Sequence, residues 1–79
     1  MPAPAELRWQ HLTPLHDGDI QILIVGTGAT QILPPPELYA ELAERRVGLE
    51  VMDSPAACRT YNILVTEGRR VAALIVSGV

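Results

Sequence analysis

Val47-Gly-Leu-Glu-Val-Met-Asp-Ser-Pro-Ala-Ala-Cys-Arg-Thr-Tyr-Asn62 holds a strand, a turn and a helix start in one unbroken stretch. Leu49 to Met52 reads as the strand. Ser54 suits the N-cap of a helix and Pro55 its first residue, where a missing N–H costs nothing. That helix runs to about Glu67, and Gly68 ends it. Upstream, Ile20 to Val25 is a near-continuous apolar run rich in β-branched residues. Such a run reads as a strand buried on both faces, which implies a mostly parallel sheet. Downstream, Val71 to Val76 is a third apolar strand.

Between the first two strands, Gly26 to Pro34 reads as a loop. Pro34-Pro35-Pro36 closes it and opens a helix. Glu37 lies in the first turn, where a negative charge suits the helix dipole. Leu38, Tyr39, Leu42 and Ala43 form an apolar stripe at helical spacing. Arg45 and Arg46 fall in the last turn, with Gly48 as the expected cap. Glu41 and Arg45 are spaced as a supportive pair. The order is βαβαβ. Right-handed crossovers then give a parallel sheet in the order 2-1-3, with the first strand central and one helix on each face. Both sheet edges are bare, and bare edges invite pairing with another chain.

The whole chain, 1–79, reads as one small α/β domain, with a core over 20–76 and a mostly irregular segment over 1–19. Pro2, Pro4 and Pro14 limit regular structure in that segment. Ala5 to Leu12 has the makings of two helical turns, and Asp17-Gly18-Asp19 reads as a turn. A chain of 79 residues buries only roughly 60–65% of the surface exposed when unfolded, so its stability is marginal unless it dimerises. Hydrophobic residues make up 48%, which supplies a core, and with no Phe that core is aliphatic. The net charge of −3 comes with no basic block, which disfavours a nucleic-acid partner. The longest apolar run is too short to span a bilayer, so no membrane insertion is expected. The N-terminus lacks the pattern of a secretory signal. A single cysteine excludes an internal disulfide, and the cytoplasm is the default compartment.

In open parallel sheets, ligands bind beyond the carboxyl ends of the strands, where strand order reverses. Those ends are Gly26-Thr27-Gly28, Asp53-Ser54 and Ser77-Gly78. The loop after the first strand is long for its type, so Thr27, Gly28, Thr30 and Gln31 are candidates. The pattern is not a dinucleotide fingerprint: Gln31 stands where a third glycine belongs, and the helix starts too late to hold a pyrophosphate. The glycines read first as the means by which a buried strand leaves the sheet. A nest for a small anion and a protein-contact loop are the alternatives.

Asp53 reads as a cap for free helix amides, with a ligand-binding carboxylate as the alternative. Glu50 points to the opposite strand face, so the two are no acid/base pair. Cys58, Tyr61, Asn62 and Val65 share one helix face. Cys58 therefore reads as a packed, inert side chain, although a helix N-terminus and Arg59 would favour a thiolate. Arg59 opposes the helix dipole, which calls for Asp53, a bound anion or an acidic partner to offset it. Asn62 is a poor helix former, so it either bonds to the Gly26–Gln31 loop or faces water. One cysteine and two distant histidines make no metal-ligand spacing, and no cofactor is implied.

Gly26-Thr-Gly-Ala, Pro-Pro-Pro-Glu-Leu38, Gly48-Leu-Glu-Val-Met-Asp53, Ala57-Cys-Arg-Thr-Tyr-Asn-Ile-Leu64 and Glu67-Gly-Arg-Arg-Val-Ala-Ala73 occur in that order. Together they resemble a family of small bacterial and archaeal domains without assigned function. Its relatives include a mitochondrial respiratory complex I assembly factor and an adipogenesis-associated protein. The resemblance covers roughly Ile20 to Ile75. It implies a three-layer α/β domain with a mixed central sheet and carries over no enzymatic activity. The family's motif positions fall here on Gly26, Thr27, Gly28, Asp53, Cys58, Arg59, Thr60, Tyr61 and Asn62. Members generally carry more sequence before the first strand, including strands that extend the sheet. Here only a short irregular segment precedes Ile20.

Two functions are expected from these observations. The first is a non-enzymatic interaction or assembly module whose partner is another protein or a second copy of itself. The second is a binding protein or enzyme for a small anionic metabolite, held between the Gly26–Gln31 loop and the Asp53–Asn62 helix start with Arg59 as its anchor. A thiol-dependent activity through Cys58 is a weaker third.

Overall fold

Side-chain alternation along a central strand organises the computed structural model, which describes residues 3–16 and 18–76. Strand β1 (Ile22–Gly26) lies between β2 (Gly48–Met52) and β3 (Val71–Ile75), and both pairings are parallel. Helix α1 (Pro36–Glu44) connects β1 to β2, and α2 (Ser54–Thr66) connects β2 to β3. The expected 2-1-3 order is therefore present. Among the described residues the sheet is parallel throughout, and no strand precedes β1. The Asp17 and Ser77-Gly78 parts of the expected turn and strand end lie outside the described residues.

Leu23 and Val25 point to one face of the sheet, and Ile24 and Gly26 to the other. On the first face, Leu23 and Val25 pack with Leu38 and Leu42 of α1 and with Leu7 and Leu12 of the N-terminal segment. Leu49, Val51, Ala72 and Leu74 from the flanking strands complete this cluster. The helical stripe is narrower than its sequence suggests: Leu38 and Leu42 are fully buried, while Tyr39 and Ala43 are exposed. On the second face, α2 rests against β1 and β3, with Ala57 and Ile24 fully buried.

The N-terminal segment departs from the two helical turns expected over Ala5–Leu12. It forms three short 3-10 turns at Pro4–Glu6, Trp9–His11 and Thr13–Leu15. Extended backbone at Leu7 and Arg8 separates the first two turns. This break lets Leu7 and Leu12 both reach the sheet, where an uninterrupted helix would set them at a fixed angle. Glu41 secures the segment. Its carboxylate accepts from Nε and Nη2 of Arg8 at 3.0 and 2.9 Å and from the Trp9 amide at 3.0 Å. The expected Glu41–Arg45 side-chain pair is therefore replaced, because the bidentate fork satisfies both carboxylate oxygens. Arg45 instead donates to the Glu41 carbonyl and lies 4.5 Å over the Trp9 ring, whose other neighbour is the stacked ring of His16.

Helix α1 also ends differently from expectation. Arg46 takes the left-handed position, with φ 58°, and Gly48 is already in β2. The Val47 amide bonds back to the Leu42 carbonyl and the Arg46 amide to that of Ala43. This is the paired closure of a Schellman motif. The short link to β2 places the left-handed residue two positions before the glycine.

Candidate functional site

Three features meet at the carboxyl ends of the strands: the loop after β1, the start of α2, and the end of β3. Gly26 lets the first two approach. A Cβ there would lie 2.9 Å from Ala57 Cβ and 3.0 Å from Ser54 Cα, so only glycine fits without a shift of α2. Gly28, at φ 92°, turns the chain back. Between them, Thr27 is 4% exposed. Its Oγ1 donates to the Thr30 carbonyl at 2.6 Å, with the Met52 carbonyl at 3.3 Å, and accepts from the Ile32 amide at 2.9 Å.

The start of α2 is equally occupied. Asp53 is the N-cap, and its Oδ1 accepts from the Ala56 amide at 2.8 Å. The expected cap, Ser54, is the first helical residue instead. The longer Asp53 side chain reaches the amide three residues on, which frees the Ser54 hydroxyl. That hydroxyl accepts from the Gly28 amide at 2.8 Å and donates to the Val76 carbonyl at 2.6 Å. It thus ties the β1 loop to the end of β3. The Ser54 amide bonds to the Gly28 carbonyl and the Ala57 amide to the Asp53 carbonyl. Pro55 has no N–H. Every amide in the first turn of α2 is therefore engaged within the chain, and none is left to hold an anion.

The next turns of α2 present a different surface. Cys58 is exposed, not packed as its helical phase suggested. It lines an open cleft of about 390 Å³ together with Tyr61, Asn62, Ala73 and Ile75. The face shared by Cys58, Tyr61 and Asn62 lies over β3, and none of the described residues covers the thiol. Asn62 lies on this side of the helix, away from the Gly26–Gln31 loop, and its side chain makes no bond to that loop among the described residues. Thr60 bonds to Met52 Sδ at 3.4 Å. Arg59 is exposed and takes no part in the ion pairs found among the described residues, and Asp53 is engaged as the cap. The nine motif residues therefore divide. Gly26, Thr27, Gly28 and Asp53 brace the strand ends, Cys58, Tyr61 and Asn62 line a cleft, and Arg59 and Thr60 do neither.

The family pattern described as "Protein of unknown function (DUF498/DUF598)" matches residues 2–76. The chain belongs to the DUF498/DUF598 family. The resemblance read from its motifs is borne out. One relative is the "13 kDa major membrane protein" of Francisella tularensis, 36% identical over 70 residues, covering 89% of this chain and 57% of that protein. Another is "NADH dehydrogenase [ubiquinone] 1 alpha subcomplex assembly factor 3" of Danio rerio, 39% identical over 62 residues, covering 78% of this chain and 36% of that protein. A crystal structure of a Bordetella parapertussis protein matches with a TM-score of 0.84 and 40% identity, covering 96% of this chain and 65% of that one. This DUF498/DUF598 chain thus spans less than two thirds of the length of either of these two curated relatives.

Ala73 and Ile75, which line the cleft from the sheet side, escaped the sequence reading. The signal was available. With β3 parallel to β1, the odd positions of Val71–Ile75 fall on the α2 face, and two of them lie beside the helix positions already singled out. No helix of the described residues is long and apolar enough to cross a membrane.

Proposed function

We propose that this member of DUF498/DUF598 is a non-enzymatic interaction module that serves the assembly of a larger protein complex. One observation carries the reading. The polar groups at the strand ends are tied up in internal bonds, while the adjoining apolar cleft of Cys58, Tyr61, Asn62, Ala73 and Ile75 is open. Polar groups held this way stabilise a shape and are poor reagents. An open apolar cleft suits a side chain from another protein. The Danio rerio relative, named as an assembly factor, supports the same class of role. On this reading Gly26, Thr27, Gly28 and Asp53 hold the cleft's wall in place. Cys58, Arg59, Thr60, Tyr61 and Asn62 make up the contact surface. Cytoplasmic residence belongs to the proposal too, and rests on the single unpaired cysteine.

The test is native mass spectrometry of the tagged full chain isolated gently from its host. A second polypeptide in fixed ratio, lost in Asn62→Arg, is the expected result. Asn62 is exposed, so the substitution blocks the cleft without emptying the core. Recovery of the chain alone, or a partner indifferent to Asn62→Arg, would overturn the reading. The rival is a small anionic metabolite anchored by Arg59. It retains an accessible guanidinium but lacks free helix amides. A rise in melting temperature with phosphates or carboxylates, abolished in Arg59→Ala, would favour it.

A further inference from the structure

We draw no further inference here: the strongest candidate, the second apolar cleft lined by His11, Leu12, Pro14, Leu15, Ala73 and Leu74 between the N-terminal turns and β3, is an unpartnered face, and nothing in the structure shows what covers it.

Discussion

The two faces of the sheet receive the same strands and different cover. On the α1 face, a helix and three 3-10 turns close over Leu23 and Val25, and Leu7, Leu12, Leu38 and Leu42 are almost wholly buried. On the α2 face there is a single helix, and among the described residues Ile24 and Ala57 are the buried apolar residues of comparable depth. Ile63, Val65 and Ile75 stay exposed there. One face is a core. The other is a thin layer held at its end by hydrogen bonds, and its border is open among the described residues. Stability and accessibility have been placed on opposite sides of one sheet.

Leu42→Ala tests the first half of that contrast most severely. Removing a fully buried leucine from the α1 face should cost about 3 kcal/mol, from lost burial and the cavity left behind. The shift of the urea midpoint measures it. A loss below about 1 kcal/mol would mean that this face can collapse around the gap and is no better packed than the other.

Gly26→Ala probes the second face at its tightest point. The new Cβ would press on Ala57 Cβ and Ser54 Cα, and the Ser54 backbone cannot yield without α2 lifting. A loss of about 2 kcal/mol is expected, together with faster amide exchange in α2 than in α1. Equal loosening of both helices would show that the faces are not independent.

The strap across the α1 face gives a pH signature. The Arg8 guanidinium, and next the Trp9 amide, hold the Glu41 carboxyl down to about 2, from an ordinary 4.5. A lowered folded-state value stabilises the ionised form. The contribution is therefore complete above about pH 4.5 and is lost as pH falls through that value toward 2. Glu41→Gln should flatten the acid limb of the stability curve over this window. Protection of the Leu7 and Leu12 amides should fall there before that of α2. An unchanged acid limb would remove Glu41 as the fastening. The mildest expected effect is on the exposed side: Ile63→Ser should change stability by less than about 0.5 kcal/mol. A larger cost would show that this face is covered in solution.

Much of this architecture was legible beforehand. The apolar runs at Ile20–Val25 and Val71–Val76, and the strand-to-helix passage around Asp53, lead to a parallel sheet with its first strand central. Gly68 ends α2 as its position suggests, with φ 81°. Thr27, Gly28 and Asp53 were legible as special residues, but their roles as braces depend on groups far away in sequence. Gly28 finds its acceptor in Ser54, and Ser54 reaches Val76. The Cys58 thiol was misread because helical phase tells which residues share a face, not whether anything covers that face. Gly48 was misread as a cap because the helix closes on Arg46 instead.

The sequence by itself determined the order and kind of the elements, and through the handedness of their crossovers the strand order. Those follow from local periodicity, proline and glycine positions, and a chirality common to all L-chains. Tertiary structure alone decided that the Gln31 side chain bonds to the Val51 carbonyl of β2. It also decided that the N-terminal turns thicken one face, and that a cysteine in helical phase with apolar neighbours meets solvent. Each of these depends on which distant groups come to lie beside one another, and no local pattern encodes that distance.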